Sequence, residues 1–308
     1  MRTTIKFIKD WTLPLAMITG VVFYRFFDTI AGLTPYLIFI MLLLTFCKLS
    51  PREVRFSPLH IWLISIQLIG SLILYSVFFR YNTTLAESAL ICVLAPTATS
   101  AAVITGMLGG SIACLTTYTL IGNLTVALVA PVIFSLIGTH SDLLFLDSFT
   151  QIGIKVGPLL IFPLLVAWGM QKFTPKIHKK LLSLHQLSFY LWAVALMIVT
   201  GKTVSFLFKQ ENPDIGIEIL IAFSSLVICI LQFVAGRKIG RRFNNTVAGG
   251  QGLGQKNTIL AIWMAQVFLS PIASLGPASY VLWQNIINSW QLWKMRKKQE
   301  QELNQRYK

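Results

Sequence analysis

The stretch Leu59–Phe79, LHIWLISIQLIGSLILYSVFF, contains no Lys, Arg, Asp or Glu. As a helix it rises about 30 Å, the thickness of a bilayer's hydrocarbon core. Runs of this kind recur, and about ten reach or approach spanning length. They are Trp11–Phe27, Gly32–Cys47, Leu59–Phe79, Leu85–Leu108, Ser111–Leu136, Ile152–Gln171, Gln186–Leu207, Ile215–Val234, Asn245–Ser270 and Pro277–Trp293. Only 12% of residues are charged, against about 25% in a soluble domain. So much apolar surface needs lipid as its solvent. The expected fold class is an all-α polytopic membrane protein.

The net charge of +15 suggests nucleic acid only if the chain is soluble. In a membrane protein, basic residues gather on cytoplasmic loops. With the N-terminus inside, most of the 26 Lys and Arg fall in inner segments, at Arg2–Lys9, Lys48–Arg55, Lys172–Lys180, Arg237–Arg242 and Lys294–Lys308. Both termini are therefore read as cytoplasmic, in a bacterial inner membrane. The partners expected are membrane lipid and a small solute, with no nucleic acid. The start, MRTTIKFIKDW, is basic like a signal peptide. The apolar run after it lacks a small-residue cleavage site, so it reads as a retained first helix. Cys47, Cys92, Cys114 and Cys229 stand singly, which indicates neither a disulfide framework nor a metal site, and no cofactor is expected.

The polar loop Gly138 to Ser148 divides the spans into two groups of equal, odd number. Related halves would then face opposite ways, the inverted-repeat plan of many carriers. The halves are 1–140 and 141–308, the second ending in a basic cytoplasmic tail. The fourth span of each is interrupted, by LAPTATSAAV in one and GGQGLGQKNT in the other. Each is followed by a turn, at Leu108 and Leu275, and then by a span with intramembrane amides, Asn123 in one and Gln284, Asn285 and Asn288 in the other. Pro96 removes a backbone donor and disfavours helix at Ala95. Thr97, Thr99 and Ser100 can bond the freed groups. Gly249, Gly250, Gly252 and Gly254 each weaken a helix by about 1 kcal/mol relative to Ala. Irregular backbone at this depth is tolerated only where protein or a water-filled cavity surrounds it.

Lys256 stands beside Gln255 and Asn257 at the second interruption. It lies about 21 Å beyond Arg242 along a helix, near the midplane and too deep to snorkel easily. A charge there costs about 3 kcal/mol or more. It also begins a half-helix, whose positive dipole end repels cations and, with the ammonium, favours an anion. The 11 acidic residues lie in tails, loops or span ends. Lys256 is thus left to lean on carbonyls of the first half-helices, to lose its proton, or to await an anionic ligand.

These features resemble the bile acid:sodium symporter family over most of the chain. The resemblance implies about ten transmembrane helices in two inverted five-helix repeats, with crossed discontinuous helices 4 and 9. It implies a panel of helices 1, 2, 6 and 7 and a core of helices 3–5 and 8–10, with substrate between them. The family's span-four motif reads Pro-Gly-Gly-Thr-Ala-Ser-Asn, and here it is Pro96-Thr97-Ala98-Thr99-Ser100-Ala101-Ala102. The Ser-Asn pair that helps hold sodium is Ala101-Ala102. The span-nine motif, Glu then three residues then Gln-Asn, is here Gln251, three residues, Gln255-Lys256. Gln67 resembles the family's remaining glutamine ligand. Two alanines supply no oxygens and an ammonium repels a cation. The departures therefore argue against sodium and leave protons as a coupling ion, or a uniporter.

The function expected is a secondary transporter of a small organic anion, bile-acid-like or another organic acid. The site residues expected are Lys256, Gln255, Gln251, Asn257, Thr97, Thr99, Ser100, Gln67, Thr119, Asn123 and Asn285. Lys155 and Lys202 on the panel read first as ordinary interface lysines, with guiding an anion as the alternative. The alternatives are a non-transporting sensor or scaffold, and a proton-coupled or auxin-efflux-like permease. An embedded enzyme is disfavoured: HExxH, GxSxG and paired intramembrane carboxylates are missing from the sequence.

Overall fold

The computed structural model describes residues 15–48, 54–98, 100–137, 145–184, 187–209 and 213–306. The start of the first expected span, Thr99 and most of the expected divider between the halves lie outside the described residues. Within them every regular element is helical. In chain order they are α1 (15–22), α2 (Tyr24–Thr29), α3 (Thr34–Phe46), α4 (Pro58–Phe79), α5 (Thr83–Leu94), α6 (Ala101–Met107) and α7 (Ile112–Ile137), followed by α8 (Phe145–Phe173), α9 (Pro175–Ser183), α10 (Leu187–Phe208), α11 (Ile215–Arg242), α12 (Thr246–Gly254), α13 (Thr258–Phe268) and α14 (Leu275–Arg306). Short 3-10 turns occupy Ala31–Leu33 and Pro271–Ser274. Among the described residues, five stretches are long and apolar enough to cross a membrane: Pro58–Phe79, Ile112–Ile137, Phe149–Phe173, Tyr190–Phe208 and Ile215–Arg242. The chain is an all-α membrane protein. Its outer surface carries exposed large apolar side chains such as Ile69, Val77, Leu128, Ile154 and Phe223, a surface suited to hydrocarbon rather than water.

Local chemistry sets the helix ends. Ser57 caps α4 in a capping box with His60, with Pro58 at the first helical position. Asn82 caps α5 through Leu85 N at 2.9 Å, Asp214 caps α11, and Asn257 caps α13. α5 stops at Leu94 because Pro96 disfavours helix in the residue before it. Ser135 Oγ donates back to the carbonyl of Pro131, inside α7, at 2.6 Å. α14 runs to Arg306, well past the expected end at Trp293, so the basic tail continues the helix.

One apolar core joins α3, α5, α7, α8, α10 and α13. A smaller one, around Cys92, Cys229, Phe233 and Tyr280, joins α5, α11 and α14. α11 and α12 pack backbone against backbone. A Cβ on Gly249 would overlap Gly236 O, and one on Gly254 would overlap the Phe233 ring. Small residues let helix backbones approach in this way inside membranes.

Candidate functional site

Both interrupted segments are broken, and the breaks pair with each other. The first runs from Ala95 to Ser100 between α5 and α6. The second runs from Gln255 to Asn257 between α12 and α13. They meet antiparallel, with Ala98 N donating to Gln255 O at 2.9 Å and Asn257 N donating to Pro96 O at 2.8 Å. Thr97 and Lys256 form the bridge between them.

A broken helix leaves its last carbonyls without intrahelical partners. At the end of α5 each of these is met by a side chain. Gln232 Nε2 donates to Cys92 O at 3.2 Å. Lys256 Nζ donates to Val93 O at 2.7 Å. Gln67 Nε2 donates to Leu94 O and Ala95 O at 2.6 and 3.1 Å. Tyr118 OH in turn donates to Gln67 Oε1 at 2.7 Å and fixes the amide. At the end of α12, Thr97 Oγ1 donates to Gly252 O and Tyr280 OH donates to Gly254 O. Lys256 therefore reaches across from the start of α13 to the C-terminal end of α5. Carbonyl dipoles there favour a positive charge. It is 1% exposed. Gln284 clamps its backbone, accepting from Lys256 N at 2.8 Å and donating to Lys256 O at 3.3 Å.

Against the paired breaks lies a cavity of about 770 Å³. Its apolar wall includes Met41, Val103, Met107, Ile112 and Trp192. Its polar lining includes Lys48, Ser100, Thr116, Thr119, Gln255, Asn257, Gln284 and Asn285. Among the described residues, those lining it include Lys48 and Lys256 and no carboxylate. Amides, hydroxyls and an exposed lysine on a largely apolar wall suit an anion with an apolar body.

Of the expected site residues, Lys256, Gln255, Asn257, Ser100, Thr119 and Asn285 line this cavity, as does Ala102. Thr97, Gln67 and Gln251 do not line it. They are buried in the packing around the breaks. Gln251 Nε2 donates to Asn288 Oδ1 at 2.9 Å, and Gln251 Oε1 has no partner. Asn123 is buried, bonds Thr119 O at 2.7 Å, and leaves Oδ1 unpartnered. Ala101 is buried without a polar atom to offer. Thr99 lies outside the described residues. Lys155 and Lys202 do not line the cavity; Lys155 is exposed, and Lys202 lies over the Phe206 ring at 6.0 Å. Sequence reasoning did not find Lys48, which it assigned to topology, nor Gln232, a lone amide without a spacing signal.

Beyond the first expected span, Asp28 joins α2 to α10. It accepts Lys209 Nζ at 2.8 Å and Ser205 Oγ at 2.7 Å. Burial pushes this carboxyl up, but the Lys209 and Ser205 hydrogen bonds and the charges of Lys209 and Lys202 outweigh it, so its pKa lies below the usual carboxylate value. Among the described residues no cluster of three or more His, Cys, Asp or Glu is arranged to hold a metal ion. Comparison with known proteins found no family model that matches the chain and no matching curated protein.

Proposed function

We propose that the chain is a secondary carrier for a small organic anion, working by alternating access without sodium. In this reading it has about ten spans in two inverted halves, 1–140 and 141–308, with α5–α6 and α12–α13 as the crossed helices. The observation that carries it is the cavity set against two paired helix breaks, lined among the described residues by lysines and amides and by no carboxylate. Broken helices at the midplane are where carriers place their substrate sites.

The positive-inside orientation gives the cavity a direction. Its lining from Lys48, Val54, Met107 and Ile112 belongs to the inner ends of the spans, so the cavity opens to the cytoplasm. The positions that hold sodium in the resembled family do not fit a metal ion here. Ala101 and Ala102 offer no side-chain oxygen, Gln251 turns its amide nitrogen to Asn288, and Lys256 brings an amine. The lysine takes the ion's electrostatic place at the end of α5.

The capping of α5 by Gln232, Lys256 and Gln67 also favours a second reading, a rigid scaffold that binds without transporting. One pair of experiments separates the two. Thermal-shift screening of purified protein against organic acids identifies a ligand, and uptake of that acid into proteoliposomes then tests the cycle. The carrier reading expects uptake, reduced at least tenfold by Lys48→Glu. Binding without uptake supports the scaffold, and neither binding nor uptake defeats the carrier reading.

A further inference from the structure

Glu87 is a buried carboxylate that plays no part in the site above. It stands in the first turns of α5, is 5% exposed, and its Oε2 accepts Ser270 N–H at 2.8 Å. Ser270 lies between the end of α13 and the turn Pro271–Ser274. The bond therefore ties the far ends of the two broken helices together. Gly276 packs on the same turn of α5, so closely that a Cβ there would overlap Ser88 Oγ. The cavity takes no lining from this end; no residue between 259 and 283, or between 55 and 97, contributes to it. The Glu87 contact and the cavity thus occupy opposite ends of the broken helices.

No salt bridge to Glu87 exists among the described residues. α13 and the turn after it carry no ionisable side chain. α4 presents Tyr75, which lies within electrostatic reach. α11 presents Cys229 and, one turn from its start, the half-buried Glu218, and α14 presents Tyr280. Lys256 is held at Val93, about 9 Å further along α5 at helical rise. A buried carboxylate with one backbone donor and no cation carries a large desolvation cost when charged. Protonation removes that cost, and ionisable groups at such depth mark ion and proton pathways.

We propose that Glu87 is the proton-binding site whose loss of a proton opens the end of the carrier opposite the cavity. The neutral acid accepts Ser270 N–H on its carbonyl oxygen without the cost of a buried charge and holds that end shut. Loss of its one proton to the water on that side leaves a buried carboxylate with no cation beside it. Hydration of that charge outweighs the single bond from Ser270, and the 269–276 segment releases from α5. No bond other than this hydrogen bond and the broken O–H changes. The assignment rests on the carrier reading, but its test needs neither substrate nor transport.

Ala273 is fully buried beside Ser270. In a Cys114→Ala background, Ala273→Cys is labelled with a membrane-impermeant maleimide across pH. Rates are divided by those of Tyr81→Cys, an exposed position, which cancels the titration of the thiol itself. The normalised rate is expected to rise several-fold on alkalinisation. With Glu87→Gln, neutral at every pH, it should be low and flat. A flat profile or a rise in acid with Glu87 present, or a retained alkaline response in Glu87→Gln, would overturn the proposal. If Glu87→Gln does not fold, Glu87→Asp carries the test: its labelling must still rise in alkali, and a flat profile again overturns the assignment. Failure here leaves the uptake experiment untouched, so the two readings fail separately.

Discussion

Lys256 places an amine where the helix before a break presents an unpaired carbonyl, and its removal has a definite sign. Lys256→Met keeps most of the side-chain volume but leaves Val93 O buried without a donor. An orphaned buried acceptor costs about 1–3 kcal/mol, so the variant should melt several degrees lower in a thermal unfolding assay. An unchanged melting temperature would mean that the amine does not brace the crossing. Asp28 titrates outside the spans. Its pKa is depressed, so its stabilisation is present above the usual carboxylate pKa of about 3.9 and is lost as pH falls through the lower folded value. Acid unfolding of Asp28→Asn should lack that component, and an identical acid profile would contradict the assignment. Some of this was legible and some was not. A lysine inside an apolar run announces itself by its depth. Its partner is a backbone carbonyl, which no residue letter encodes. Lys48 was hidden for another reason: loop lysines already have a sufficient explanation in topology. Gln232 had no spacing to mark it.

The helix breaks were legible because proline and glycine act on the backbone directly. Pro96 stops α5 where the sequence places the interruption. The glycines of the second segment behave differently from their propensity. Residues 246–254 are helical despite them, and the break falls after Gly254, at Gln255 to Asn257. The reason is packing: Gly249 and Gly254 lie against Gly236, Gly240 and Phe233 of α11, where a Cβ does not fit. Gly249→Ala in an isolated helix would stabilise by about 1 kcal/mol. Here overpacking should reverse the sign and destabilise by about 1–3 kcal/mol, measured as a lower melting temperature. A stabilised Gly249→Ala protein would show that α11 and α12 are not packed as described. The extension of α14 to Arg306 was less legible, since a basic polar tail reads equally as a solvated loop and as helix.

At the scale of the molecule, the hydropathy pattern announced a helical membrane protein, and the helices long and apolar enough to cross one agree with it. A fixed amine occupies the junction of the two broken helices, where the resembled family holds sodium. Bound ions stabilise the state that binds them by mass action. The direct measurement is therefore the melting temperature of the purified protein in saturating sodium chloride against potassium chloride at equal ionic strength, for the native chain and for Lys256→Met. The account predicts no difference between the salts in the native protein. A rise of several degrees specific to sodium in the native protein, lost on replacing Lys256, would contradict it.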